Sequence, residues 1–479
     1  MIDFELMPHQ KKAVKDSYTK PDMFLAWDMG VGKTCAVIQI LRHNYGLHGE
    51  LRSTLVLAPL ITLQNWKREF ALFSKVPERA VVTLQGTGKQ RIETLRKAVR
   101  YSCIVICNYE SLDNDELFAH LMAWSPRIVC CDESHVVKNP KSKRARKVAM
   151  LADGASNRYL LSGTPILNNA MDLFMQYRVL DGYLGKNSTF GTNFFAFRNR
   201  YFEDANSGFA GSQHYFPKWE PRASTFEELS DRIQAKTSVV KKFDVLKSLP
   251  PLVTEQIDVE LSSEQQRVYK ELRKEFVSFI KTAKGEKAVI ARLAMVKALR
   301  LQQVVTGFVT AGENPDSEVV RFKDVPRLRV LHDILHNLVG EHKVIVWAAF
   351  KENYRMIAEM LSTMGVGYTE LHGGISAKEK FLNQDQFNKD PECRVLIGNP
   401  GAGGVGINLI GASYSVYYSR GFKLGDDLQS EARNYRKGSE VHEKITRINM
   451  VAPQTIDELV SEALSRKQQI AEEIIQWKI

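Results

Sequence analysis

Residues 28–34 read Asp-Met-Gly-Val-Gly-Lys-Thr. They stand between an apolar run, Met23-Phe24-Leu25-Ala26, and a helical pattern, Cys35-Ala36-Val37-Ile38-Gln39-Ile40-Leu41. A glycine turn set between a buried strand and a helix is a demanding arrangement, and a chance surface turn has no reason to sit there. It aims backbone N–H groups and the positive helix end at an anion. Gly30 and Gly32 allow a close backbone approach, so Met29, Gly30, Val31, Gly32, Lys33 and Thr34 form a candidate phosphate cradle. In such a cradle the lysine reaches the β- and γ-phosphates and the threonine hydroxyl holds Mg2+.

A second motif fits the first. Ile128-Val129-Cys130-Cys131 reads as another buried strand, and it ends in Asp132-Glu133-Ser134-His135. One carboxylate at such a strand end can hold Mg2+, and its neighbour can orient an attacking water. Together the motifs predict binding and hydrolysis of a nucleoside triphosphate.

Strand-like runs at 23–27, 54–58, 80–84, 103–107, 127–131 and 158–162 alternate with helical patterns. That rhythm predicts an α/β fold, a parallel sheet with helices on both faces. Ligands in such sheets bind at the carboxyl ends of the strands, where both motifs lie. From 181 to 250 the rhythm is lost and aromatics gather (Phe190, Phe194, Phe195, Phe197, Tyr201, Phe202), more consistent with packing than with nucleic-acid contact. Leu249-Pro250-Pro251 reads as a stiff linker. A helical stretch over 261–305 follows, and strands return at 343–348, 394–398 and 414–418.

A chain of 479 residues is too long for one core, so two large domains are expected. We read an N-terminal lobe over 1–248, with an insertion at about 181–240, and a C-terminal lobe over 249–479, with a helical insertion at about 261–325. The net charge of +11 points to a polyanionic partner such as nucleic acid, or only to good solubility. The six cysteines include no C-x-x-C set, which argues against a zinc site and fits a reducing compartment. No signal peptide and no membrane-spanning run is visible, so a cytoplasmic (or, in a eukaryote, nuclear) protein with no membrane partner is expected.

The second lobe has no Gly-Lys-Thr turn. It carries Gly401-Ala402-Gly403-Gly404-Val405-Gly406-Ile407-Asn408-Leu409 and, beyond it, Gln429 to Gly438 with Arg433 and Arg436. Arginines three apart share one face of a helix. From across a cleft they can meet the charge that develops on a γ-phosphate, or else form a solvated basic face.

These motifs, in this order, resemble the superfamily 2 helicases, and the Snf2 group of DNA translocases in particular. Met7-Pro8-His9-Gln10 is similar to the adenine-reading glutamine motif; 28–34, Leu57-Ala58-Pro59-Leu60 with Asn65-Trp66 and Glu69-Phe70, and Asn108-Tyr109-Glu110 follow the family order. So do Asp132 to His135, Leu161-Ser162-Gly163-Thr164-Pro165, Leu371-His372-Gly373-Gly374, 401–409 and 429–438. The Snf2 group is singled out by Lys138-Asn139, by Val240 to Leu246 leading to Leu249-Pro250-Pro251, by Leu261 to Gln266 with Tyr269, and by Leu299-Arg300-Leu301-Gln302-Gln303. Trp27, Phe422-Lys423-Leu424, Ala432 and Tyr435 depart from the usual pattern.

The resemblance implies two RecA-like lobes with ATP in the cleft between them and Mg2+ as cofactor. Gln10 is expected to read the adenine, with Lys33 and Thr34 on phosphate and metal. Asp132 is expected on Mg2+, Glu133 on the water, and Arg433, Arg436 and Gly406 to complete the site. Thr62, Asn65, Asn108, Ser162, Thr164, His372 and Asn408 are candidates for sequence-independent DNA contacts. The implied function is an ATP-dependent motor on double-stranded or branched DNA, acting as a monomer in replication, recombination or repair. The absence of accessory modules points to a compact bacterial or phage enzyme. An RNA helicase and a non-catalytic DNA-binding scaffold are the alternatives.

Overall fold

The computed structural model describes residues 5–101, 103–163, 165–166, 170–182, 188–207, 217–282, 287–310, 318–401 and 407–476. Seventeen strands are formed by these residues. Those of the first lobe are β1 (Asp22–Trp27), β2 (Thr54–Ala58), β3 (Val81–Thr83), β4 (Ile104–Asn108), β5 (Ile128–Asp132), β6 (Asn157–Leu161), β7 (Phe202–Asp204), β8 (Trp219–Pro221) and β9 (Thr237–Val240). The second lobe adds β10 (Leu252–Asp258), β11 (Phe308–Thr310), β12 (Val319–Arg321), β13 (Val344–Trp347), β14 (Gly367–Leu371), β15 (Cys393–Gly398), β16 (Tyr414–Tyr417) and β17 (Ile445–Val451).

Seven strands make the first sheet in the order β3-β4-β2-β5-β6-β1-β9, all parallel. Six make the second, β10-β17-β16-β13-β15-β14, again all parallel. The pairs β7–β8 and β11–β12 are small antiparallel hairpins outside the sheets. The two-lobed parallel α/β fold expected from the sequence is therefore present.

The continuous apolar runs are explained by burial on both faces. In β1, Phe24 and Ala26 enter the core on one face while Met23, Leu25 and Trp27 enter the core on the other. In β5 the same alternation sends Val129 and Cys131 one way and Ile128 and Cys130 the other. The second lobe repeats it, with Val344 and Val346 against Ile345 and Trp347. All six cysteines are buried thiols in these cores. No helix of the described residues is long and apolar enough to cross a membrane.

One correction concerns the insertion expected over 181–240. Its last residues, 237–240, are β9, a full member of the first sheet paired to β1. The irregular part ends before it. Phe190, Phe197, Tyr201 and Phe202 are buried in the first lobe's core against Phe174 and Tyr177, whereas Phe195 is exposed under Arg198. Leu246 and Leu249 still pack on the first lobe and Leu252 opens β10, so the chain crosses between sheets at Pro250-Pro251.

Candidate nucleotide site between the lobes

The turn after β1 does what its glycines permit. Gly30 and Gly32 both adopt φ of 83°, a region that costs a side-chain-bearing residue strain. Gly32 caps the helix Lys33–His48, whose first turn carries Lys33 and Thr34. Two side chains of the helix Pro8–Asp16 hold the turn from below. His9 Nε2 lies 2.9 Å from the Val31 carbonyl, and Gln10 Nε2 donates to the Gly32 carbonyl at 3.1 Å. Gln10 Oε1 accepts from Met7 N at 3.0 Å. The Gln10 amide, expected to read a base, here braces the phosphate loop with its nitrogen while its oxygen caps its own helix at Met7.

Lys33 Nζ is turned inward, donating to the carbonyls of Trp27 and Asp28 at 2.8 and 3.1 Å. Burial pushes its ammonium below the usual lysine range, opposed by the charges of Glu133, Asp132 and Asp28. Asp132 is buried at the end of β5. Its Oδ2 accepts from Trp66 Nε1 at 2.8 Å and its Oδ1 from Glu133 N at 3.1 Å. Burial, with Glu133 next to it, raises the Asp132 carboxyl to about 7. Glu133 sits at φ 49°, an unusual left-handed conformation for a side-chain-bearing residue, held where strain is often stored at functional sites. Burial raises its carboxyl, but His135, Lys33 and Arg433 outweigh that and leave it below the ordinary range. His135 Nδ1 stands 3.3 Å from Glu133 Oε2 and 3.4 Å from Ser162 Oγ.

Arg433 and Arg436 come from the other lobe, and here the structure differs from the expected helix. The helix Leu424–Glu431 stops before them. The Arg433 carbonyl accepts from Leu409 N at 2.9 Å instead of continuing a helical ladder, and Gly438 turns the chain at φ 105°. The guanidinium groups converge all the same, each donating Nη1 to the Ile407 carbonyl, at 3.3 and 3.4 Å. Both Nε atoms are buried with no hydrogen-bond partner among the described residues. Burial, then the mutual repulsion of the pair, lowers Arg433 to about 10.

A cavity of about 180 Å³ lies where these groups meet, walled by the phosphate loop, Asp132 and Glu133 on one side and by Gln429, Arg433 and Arg436 on the other. The lobes touch closely: a Cβ on Gly30 would lie 3.2 Å from Arg436 Cβ. A cavity this size suits phosphates and not a whole nucleotide, since small-molecule sites run from roughly 300 Å³ upward.

A buried network steadies the arginine segment. Asp427 accepts from Arg420 at 2.9 and 3.0 Å and from Arg447 at 3.0 Å, and Arg447 also reaches Glu431 at 2.8 Å. Nothing in the residue pattern of 420–447 announces it, because Arg447 arrives from β17.

The remaining candidates are dispersed. Thr62, its hydroxyl donated to the Pro59 carbonyl at 2.8 Å, and Asn65, bonded to Glu69 at 2.8 Å, line the cleft itself. Asn108 is buried, its amide spent on Glu110 and Ser111. Ser162 is buried beside His135. In the second lobe His372 pairs with Glu370 at 2.9 Å and stacks on Tyr354, and the Asn408 amide oxygen is buried without a partner among the described residues. Thr164 and Gly406 lie outside the described residues. Trp66 packs in the core as expected; its indole bond to Asp132 was not anticipated.

Known proteins carry the same arrangement of segments. The SNF2-related domain matches residues 9–307 and the helicase conserved C-terminal domain matches residues 326–438. An uncharacterized ATP-dependent helicase of Mycoplasma genitalium is 26% identical over 98% of this chain and 42% of its own length. A putative ATP-dependent helicase/translocase of Bacillus subtilis is 24% identical over 94% of this chain and 46% of its own. The CHD3-type chromatin-remodeling factor PICKLE of Arabidopsis thaliana is 25% identical over 95% and 33%. The chain thus spans less than half the length of these relatives. The Sulfolobus solfataricus SWI2/SNF2 ATPase core in complex with dsDNA aligns over 99% of this chain and 93% of that chain at 21% identity, with a TM-score of 0.44, too low to add weight. The family match covers most of the first lobe and continues past the linker, and on that footing the chain belongs to the SNF2-related family, joined to a helicase C-terminal domain.

Proposed function

We propose that this chain is an ATP-driven motor on double-stranded or branched DNA, with the lobes 1–248 and 249–479 as its moving parts. The observation that carries the reading is the shared cleft. Lys33, Asp132 and Glu133 face Arg433 and Arg436 across it, and the two arginine Nε atoms there are buried without partners among the described residues. Unpaired buried guanidinium nitrogen is costly unless an anion completes it.

In this reading Lys33 exchanges its two carbonyl partners for the β- and γ-phosphates of ATP. Glu133 orients a water and accepts its proton. The water oxygen bonds to the γ-phosphorus, the bond to the β-bridging oxygen breaks, and ADP and phosphate leave. Arg433 and Arg436 meet the charge on the transferring group, a contribution on the order of 10³–10⁵ in rate for an arginine finger. Thr34 and Asp132 are the residues that would hold Mg2+, which would neutralise phosphate charge; Asp132 keeps free lone pairs for it beside its bonds from Trp66 and Glu133. Gln10 and His9 keep the loop in shape beneath the phosphates.

Because the site needs both lobes, nucleotide turnover opens and closes the cleft. Repeated closure steps the chain along a phosphate backbone, and the +11 charge favours that polyanion. His372 and Asn408 in the second lobe, with Thr164 in the first, are the backbone-contact candidates; Asn108 and Ser162 are buried and spent on protein partners, and Thr62 and Asn65 serve the cleft wall. Fork remodelling, branch migration, strand annealing and protein displacement are the jobs such a motor performs. The test is displacement of a triplex-forming strand from a linear duplex. ATP-dependent displacement without separation of the duplex supports translocation, and displacement that is equal without ATP contradicts it.

A further inference from the structure

The two lobes are joined at a second point, a few residues from the cleft, by a side chain of the Val240 to Leu246 stretch to which the resemblance assigned no role. Strand β9 pairs with β1 so that Val240 lies beside Trp27. Asp28 N donates to the Val240 carbonyl at 2.9 Å. The register therefore delivers residue 242 to the base of the phosphate loop. There Lys242 N donates to Asp28 Oδ2 at 2.8 Å, while the Asp28 carbonyl is one of the two oxygens that hold Lys33.

The Lys242 side chain then leaves its own lobe. Its Nζ donates to the Tyr435 carbonyl at 2.7 Å and lies 4.7 Å from the centre of the Tyr435 ring. Phe243 packs against the same ring, with centroids 5.9 Å apart. The next residue after Tyr435 is Arg436, whose Cβ abuts Gly30. Lys33, Asp28, Lys242, Tyr435 and Arg436 thus form an unbroken line of contacts from the phosphate lysine of one lobe to the arginine pair of the other.

The energetics of this bond are unusual. Lys242 is 6% exposed, and its ammonium is bonded to a carbonyl oxygen rather than to a carboxylate. Burial pushes that ammonium below the usual lysine range. A buried cation held by one carbonyl and an aromatic face contributes little net stability, and an apolar side chain of the same length would serve the fold as well. What the ammonium does that a methylene chain does not is grip a carbonyl on the opposite lobe in the arrangement in which the two lobes close around the cleft.

We propose that Lys242 is a positioning residue for hydrolysis: its inter-lobe bond to the Tyr435 carbonyl sets Arg436 against the phosphate loop and holds the closed state in which ATP is split. The inference rests on the motor reading above. It gives the departure at Tyr435 a use, since the ring supplies the face on which the ammonium rests.

The experiment compares the wild type with Lys242→Met and Lys242→Arg. Steady-state ATP hydrolysis on linear duplex is expected to show kcat down about tenfold or more in Lys242→Met, with KM for ATP changed less than about threefold. The melting temperature and duplex affinity stay at the wild-type values. Lys242→Arg restores much of kcat, because the adjoining cavity of about 410 Å³ has room for the larger head. Lobe closure is read separately, by energy transfer between dyes on Lys97→Cys and Lys389→Cys, both on exposed helix faces, with the native thiols all buried. With a non-hydrolysable ATP analogue, Lys242→Met is expected to populate the closed state less than the wild type. Wild-type kcat and closure in Lys242→Met overturn the proposal. So does an equal loss in both variants that follows a lowered melting temperature, which would make Lys242 structural. If the wild type shows no duplex-stimulated hydrolysis, the motor reading fails, and unchanged closure in Lys242→Met still decides against the latch on its own.

Discussion

Trp66→Phe isolates one hydrogen bond at the centre of the site. The substitution keeps an aromatic ring in the core and removes the indole N–H that reaches Asp132 Oδ2 at 2.8 Å. A bond to a charged acceptor is worth about 1.5–3 kcal/mol, more when the acceptor is left buried and unpaired. At about 1.4 kcal/mol per pKa unit, its loss moves the Asp132 carboxyl upward by roughly one to two units. The direction follows from the donor: an N–H stabilises the carboxylate, so removing it favours the acid form. That form is already favoured by burial and by Glu133, which bring the group to about 7. A carboxyl that must be ionised to hold Mg2+ is then protonated over more of the neutral range. The assay is kcat/KM for duplex-stimulated ATP hydrolysis against pH, whose acid limb reports ionisations of the free enzyme. Trp66→Phe should shift that limb to higher pH by about one to two units and leave the alkaline plateau closer to the wild type. Trp27→Phe is the control. Trp27 is as deeply buried, but its indole donates to Ser238 Oγ at 2.9 Å, so its loss should lower stability without moving the limb. A rate lowered evenly at all pH values in Trp66→Phe, or the same shift in both variants, refutes the reasoning.

Three further outcomes follow from the same groups. Asp132→Asn should stabilise the protein. The folded group titrates above its ordinary value, so its stability contribution is full below about pH 4 and lost as pH rises to about 7; thermal melts should show a gain on the order of a few kcal/mol at neutral pH that vanishes in acid. Asp427→Asn should do the reverse, because burial raises that carboxyl but Arg447 and Arg420 lower it further, so its contribution is present above the ordinary pKa and lost as pH falls through the folded one. Arg447 is buried but keeps Glu431, and Arg420 is half-buried, so the loss lies at the low end for a broken buried pair, about 3 kcal/mol; urea unfolding should show the deficit at neutral pH and its shrinkage in acid. Gly32→Ala places a Cβ 2.3 Å from Gln10 Nε2 at a φ of 83°, and nucleotide titration should show ATP affinity falling roughly five- to a hundredfold, for a strain of about 1–3 kcal/mol.

Most of the first sheet and the centre of the second (β13, β15, β16) were legible because those strands are buried on two faces and so read as apolar runs, whereas β10 and β14, largely exposed or half-buried, and β17, broken by Thr446, Arg447 and Asn449, do not. The ends of β1 and β5 announced the phosphate loop and the carboxylate pair for the same reason: polar residues directly after such runs have no core to enter. β9 escaped notice since Thr237-Ser238-Val239-Val240 is short, half polar and half-buried at the sheet edge beside an irregular stretch. The arginine segment was read as helix from its spacing, whereas a tertiary bond from Leu409 decides its backbone. Pairwise roles were the hardest to see. That Trp66 serves Asp132, that Gln10 braces Gly32, and that Lys242 reaches Tyr435 depend on contacts between residues 22 to 193 positions apart. No local pattern encodes such pairs.

The central claim is that one cleft, completed by both lobes, hydrolyses ATP when DNA is bound. It is tested most directly by steady-state ATP hydrolysis with no nucleic acid, single-stranded DNA, linear duplex, a fork, a four-way junction and RNA, with Glu133→Gln and Arg436→Ala beside the wild type. The account predicts strong stimulation by duplex or branched DNA, little by RNA, and loss of turnover in both variants. Stimulation by RNA alone, or a wild-type rate no higher than that of Glu133→Gln on every polymer, would contradict it.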